Sequence, residues 1–287
     1  MVGAAEKLLL IGLGGRRCGS TWLGDYLDAH PDVFMSPVKE LQHFSARLRP
    51  EILPRADAAA IRSVCRVSEQ TGDGDPTRST PYQRAVLDTL KSRVRMIWQE
   101  DEYPNFFLDR VGDRHVMCEI TPEYSLFDRA QFERMAAVLP TVRFALVMRN
   151  PIDRYWSDLH LQATRGVSLQ DEAGIVETLV DPLQWSRGDY PRTLNELLAA
   201  VDGKNVFLEF FERLFDDSAM AKLCGFLGIA FQPGSYGARV HDVPHPVAPE
   251  RLRAKLYAKL SRVYEDIHEH FAGDVPDSWR NDMVAYG

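Results

Sequence analysis

The chain of 287 residues carries 45% hydrophobic and 26% charged residues and a net charge of −7, the profile of a globular protein that buries about 75% of its unfolded surface as one large α/β domain or two small ones. The negative balance excludes a general nucleic-acid binder, so local basic residues must hold any anion. Cys18, Cys65, Cys118 and Cys224 stand far apart without metal-ligand spacing, so neither a disulfide framework nor a metal site is expected.

The first element is an apolar run, Leu8 to Leu13, read as a buried strand. It is too short for a membrane span and a poor signal peptide, which places the expected protein in the cytoplasm. Gly14-Gly15-Arg16-Arg17-Cys18-Gly19 follows, and Ser20-Thr21-Trp22 opens an apolar-periodic helix. Such a strand-loop-helix suits an anion, because the first N–H groups of a helix lack internal partners and its dipole is positive there. Glycines admit the backbone, Ser20 and Thr21 add hydroxyls, and Arg16 and Arg17 add charge. Gly14 and Gly19 have the spacing of a nucleotide-triphosphatase loop, but Ser20 occupies the position of that motif's lysine.

His30-Pro31-Asp32 ends the helix, and Val33 to Met35 is a short strand. Lys39-Glu40-Leu41-Gln42-His43-Phe44 then falls where strand ends face the ligand crevice of an open parallel sheet. From about 46 to 116 the pattern is helical, with helices over Leu53 to Val67 and Gln83 to Trp98 around a polar loop, Thr71 to Pro81. This insertion reads either as a lid or acceptor wall, or as a solvated helical appendage. Strands follow at Val116 to Ile120, Val142 to Met148 and Val206 to Phe210, with helices over Arg129 to Leu139, Thr193 to Val201 and Ser218 to Leu227. The strand ending at Met148 runs into Arg149-Asn150-Pro151, where a triphosphatase would usually place an acidic, magnesium-holding residue. Gly166 to Pro191 is polar, and the last helix is amphipathic through Leu252, Leu256, Leu260, Val263, Tyr264, Ile267 and Phe271. The expected architecture is a three-layer α/β/α domain spanning 1–287, with a central mostly parallel sheet.

Gly14-Gly15-Arg16-Arg17-Cys18-Gly19-Ser20-Thr21-Trp22-Leu23 with His30-Pro31 downstream resembles the 5′-phosphosulfate loop of sulfotransferases that use 3′-phosphoadenosine 5′-phosphosulfate (PAPS). Phe144 to Ser157 resembles their 3′-phosphate motif, and Lys39 to Phe44 and Glu119 to Tyr124 resemble acceptor-side segments of the carbohydrate-type and bacterial branch. The resemblance implies a P-loop-like fold and transfer of a sulfuryl group to a hydroxyl of a small metabolite or glycan, without metal, leaving 3′-phosphoadenosine 5′-phosphate (PAP). It assigns donor binding to Arg16, Arg17, Cys18, Gly19, Ser20, Thr21, Trp22, Arg149 and Ser157, with Arg239 in a late phosphate loop. Arg17 would stabilise the bridging oxygen and Glu40 would be the general base, with His43 a second candidate. Cys18, where serine or threonine is common, reads as a small spacer, and Ile120 replaces a lysine frequent in the carbohydrate branch. The rivals are a P-loop ATP-dependent kinase and a noncatalytic PAP-binding protein.

Overall fold

In a computed structural model the described residues are 7–49, 53–168, 171–237 and 247–287. Their scaffold is five strands, β1 (Leu8–Gly14), β2 (Val33–Met35), β3 (Val116–Ile120), β4 (Val142–Met148) and β5 (Val206–Phe210). They lie in the order β2-β3-β1-β4-β5, with every pairing parallel. All five were expected from their apolar runs, and parallel pairing goes further than the mostly parallel sheet anticipated.

The helices are α1 (Ser20–Asp28), α2 (His43–Leu48), α3 (Leu53–Thr71), α4 (Pro81–Trp98), α5 (Glu102–Leu108), α6 (Arg129–Ala136), α7 (Pro151–Thr164), α8 (Glu172–Leu179), α9 (Pro182–Ser186), α10 (Tyr190–Ala200), α11 (Asp217–Leu227), α12 (Glu250–His270) and α13 (Asp277–Tyr286). They cover both sheet faces, which is why β1 is buried along its whole length. Leu9, Ile11 and Leu13 join Phe132 of α6, Leu194 of α10 and Leu256 of α12. Leu8 and Leu10 join Leu23 and Leu27 of α1 and Leu223 of α11.

The insertion is helical as expected: α3 and α4 form a pair packed on α2, and α5 follows. Helix α4 starts two residues early because Pro81 occupies its first turn and Thr80 forms a reciprocal capping box with Gln83. In the polar stretch 166–191 the chain forms α8 and α9, both capped by aspartate side chains, Asp171 and Asp181. None of the described helices is long and apolar enough to cross a membrane.

Parallel pairing puts all five strand ends on one edge. The chain runs from β1 out to β2, returns through β3, and then crosses to β4 on the other side of β1. The crevice above β1 and β4 is thus the topological switch point, where open parallel sheets bind ligands.

Candidate active site

The loop after β1 is shaped by backbone conformations that its glycines permit. Gly14 has φ +86°, and a Cβ there would meet Pro122 at 2.7 Å. The Gly15 N–H donates to the Val147 carbonyl at 2.8 Å, tying the loop to β4. Gly19 caps α1 with φ +82°, and a Cβ on it would press within 3.1 Å of Phe211 and Leu214. No side chain caps α1 at this position. Its first-turn N–H groups therefore keep the partial positive charge that favours an oxyanion.

Arginines converge on this loop from two strand ends. The Arg17 Nε donates to Ser157 Oγ at 3.0 Å, and Arg149 Nη1 donates to the Arg17 carbonyl at 3.1 Å. The Arg149 guanidinium also lies 4.4 Å over the Phe211 ring, a cation–π contact. Burial lowers the Arg17 pKa, Arg149 and Arg16 push it further down, and Asp158 opposes them. An anion placed among these cations would relieve that repulsion. Arg17, Arg149 and Ser157 thus meet in one place.

Arg16 turns instead to a carboxylate. Its Nε donates to Asp158 Oδ1 at 2.8 Å, and Glu123 lies 3.8 Å from Nη1 while accepting from Arg187 at 3.0 Å. Burial alone would raise the Asp158 pKa, but the Arg16 bond and the charges of Arg16, Arg154 and Arg187 outweigh it and hold it low. Arg154, 1% exposed, packs its Nη2 where a Cβ on Gly188 would be 3.0 Å away.

Cys18 is buried against the Tyr190 hydroxyl at 3.5 Å, and burial pushes its thiol pKa up to about 11. A neutral thiol of this kind fills space and is no nucleophile. Tyr190 also clamps the exit of β4: its hydroxyl donates to the Arg149 carbonyl at 3.0 Å and accepts from the Arg149 N–H at 3.2 Å. Ser20 and Thr21 open α1, Thr21 accepting a hydrogen bond from Lys39. Trp22 stands edge-on to Phe215 with ring centroids 5.0 Å apart and donates to the Ser235 carbonyl at 3.2 Å. Arg239 lies outside the described residues. Along α7, Trp156 and Ser157 line a cavity of about 380 Å³ with Arg149, Asp153, Arg253 and Asp282.

On the β2 side, Glu40 and Gln42 both have φ +59°, and Gln42 Nε2 donates weakly to Glu40 Oε2 at 3.4 Å. Glu119, at the end of β3, anchors this segment. Its buried carboxylate accepts hydroxyls from Tyr103 at 2.6 Å, Thr121 at 2.8 Å and Tyr124 at 3.3 Å, while the Leu41 N–H points at it. Tyr124 in turn accepts the Phe44 N–H at 3.3 Å. Sequence reading took Glu119 only as part of an acceptor segment; its burial within a strand was the signal available.

His43 is placed differently from Glu40. It is 4% exposed, stacked on Tyr103 with ring centroids 4.4 Å apart, and edge-on to Phe44. Burial pushes its pKa down to about 3, with Arg47 reinforcing the shift. The left-handed turn at Gln42 starts α2 at His43, so the segment is not extended there and the ring enters the aromatic core. This packing disfavours the second-base expectation for His43.

Residues 10–233 match the family model described as "Sulfotransferase family". The chain belongs to the sulfotransferase family. Among solved structures, this sulfotransferase resembles one from Alicyclobacillus acidocaldarius, at 22% identity over 94% of this chain and 98% of that one, with a TM-score of 0.63. It also resembles the sulfotransferase domain of the Synechococcus PCC 7002 olefin synthase, at 17% identity over 94% of this chain and 95% of that one, with a TM-score of 0.55. At these identities the two structures speak for the fold. No curated protein matches the chain in sequence.

Proposed function

We propose that this sulfotransferase moves a sulfuryl group from PAPS to a hydroxyl of a small metabolite or glycan, in the cytoplasm. The observation that carries the donor assignment is the convergence of Arg17, Arg149 and Ser157 beside the uncapped start of α1. That arrangement offers both hydrogen-bond donors and fixed positive charge to a ligand rich in oxyanions.

In the reaction, an acceptor oxygen forms a bond to sulfur as the bond from sulfur to the donor's bridging oxygen breaks. The charge that develops on the bridging oxygen is met by Arg17, and the acceptor proton passes to Glu40. Positioning and charge stabilisation are the enzyme's main contributions, as in phosphoryl transfer. A carboxylate base contributes on the order of 10² to 10⁴ in rate. Glu40→Gln is therefore expected to bind PAP nearly as well as the wild type while turnover falls at least about a hundredfold. Unchanged turnover would remove Glu40 from the base role.

Thermal unfolding with PAP, in parallel with ATP plus magnesium, tests the donor. A ligand at about 100 times its Kd stabilises the native state by roughly 2.7 kcal/mol, enough to raise Tm by several degrees. A shift with PAP and none with ATP plus magnesium is expected, and the reverse pattern would replace the reading with a kinase. Tight PAP binding without transfer to any acceptor would favour a noncatalytic binding protein.

A further inference from the structure

The cavity of about 380 Å³ along α7 has a wall that the donor scheme above does not use. Arg149 and Ser157 line it together with Ser278 and Asn281 of α13, Arg253 of α12, Asp153 and Asp282. Arg149 and Ser157 each also bond Arg17, at 3.1 and 3.0 Å. The cavity therefore shares a side with the cradle at the start of α1.

Its carboxylates are already engaged. Arg253 lies 2.6 Å from Asp153 and 2.6 Å from Asp282, and Asp282 also accepts from the Asn150 amide at 2.7 Å and the Tyr264 hydroxyl at 3.0 Å. Two arginines and two aspartates leave the wall neutral, so a ligand gains there from directed donors. Three residues have donors to give. Of the Arg149 guanidinium only Nη1 donates within the described residues, which leaves Nε and Nη2. Ser157, 2% exposed, accepts from Arg17 and donates to no described residue. Ser278 Oγ is buried and has no hydrogen-bond partner among the described residues. Buried polar groups are satisfied in folded proteins, here by water or a ligand. Ser278 also stands in the first turn of α13, where no side chain caps the helix and Asp277 is paired with Arg280, so the first N–H groups add a partial positive charge.

We infer that this cavity holds the second phosphate of the donor nucleotide, and that Ser278 and Asn281 of α13 join Arg149 and Ser157 in binding it. This deepens the sulfotransferase reading and rests on it. The resemblance assigns donor binding to Arg149 and Ser157, with Arg239 in a late loop; Ser278 and Asn281 lie beyond the matched residues 10–233. Because cavity and cradle share Arg149 and Ser157, one nucleotide phosphorylated at two positions engages both. Helix α13 thereby sets the preference for a 3′-phosphorylated donor.

The test is calorimetric titration of PAP, and of adenosine 5′-phosphate, which lacks the 3′-phosphate, onto the wild type, Ser278→Ala and Asn281→Asp. The wild type is expected to bind PAP at least about a hundredfold more tightly than adenosine 5′-phosphate, the scale of two charge-assisted hydrogen bonds. Ser278→Ala should weaken PAP binding roughly tenfold, the scale of one such bond, and leave adenosine 5′-phosphate within about twofold. Asn281→Asp places a like charge beside the phosphate and should weaken PAP by about tenfold or more, again sparing adenosine 5′-phosphate. Asn281 is exposed, so this isosteric variant keeps the test decisive if Ser278→Ala fails to fold. A folded variant that keeps the wild-type preference, or equal binding of the two nucleotides by the wild type, overturns the inference and leaves PAP a ligand of the cradle. Failure of the wild type to bind PAP breaks the sulfotransferase reading itself.

Discussion

The Arg16–Asp158 pair shows how single residues hold the cradle in place. Asp158 has a fully buried side chain and Arg16 is 27% exposed, so solvent screens one end and the pair is worth less than a fully buried one. Asp158→Asn is expected to cost about 1–3 kcal/mol at neutral pH, since the Arg16 donor loses its charged acceptor. The sign with pH follows from the depressed pKa of Asp158 in the fold. Its contribution is complete above the unfolded value, about 3.9, and is lost as pH falls through the folded one. Urea unfolding of both proteins should therefore show a stability gap at pH 7 that closes as the pH is taken below about 4. Arg17, Arg149 and Ser157 were legible in the sequence because each sits in a short motif with a chemical reason. The bond from Arg17 to Ser157 was not, since it joins residues 140 apart and depends on β1 lying beside β4. His43 was misleading for a local reason: a left-handed residue at Gln42, rare outside glycine, turns the ring from the expected course into the core.

At the scale of elements, Asn150-Pro151 sets α7 and with it Ser157. The Asn150 side chain accepts the Asp153 N–H at 3.1 Å, Pro151 occupies the first helical position, and the Asn150 amide donates to Asp282 at 2.7 Å. Asn150→Ala is expected to lower stability by about 1–2 kcal/mol for the lost cap. It should also weaken PAP binding, because the preceding residue is Arg149; denaturant unfolding and PAP titration check the two effects separately. No helix was expected here, although a cap followed by proline is a helix-start signal. Helices α8 and α9 were not readable, because elements of eight and five residues carry too little propensity and depend on packing to persist. The long α3 and α4 were legible as helices, yet their packing as a pair on α2 was not.

For the whole molecule, strands were the most legible level because a sheet covered on both faces leaves continuous apolar runs. Their spatial order is not written in those runs, and it is the order that sets the loops after β1 and β4 side by side. The two C-terminal helices complete this corner from outside the matched segment. Tyr264 of α12 donates to Asn150 Oδ1 at 3.0 Å, and Arg253 ties α12 both to Asp153 of α7 and to Asp282 of α13. The family pattern spans 10–233, while this brace lies at 250–286. The boundary of recognisable kinship is therefore not the boundary of the working machine. A gene trimmed to the shared segment would keep the motifs after β1 and β4 intact and still lose the buttress that keeps the Arg149 corner square.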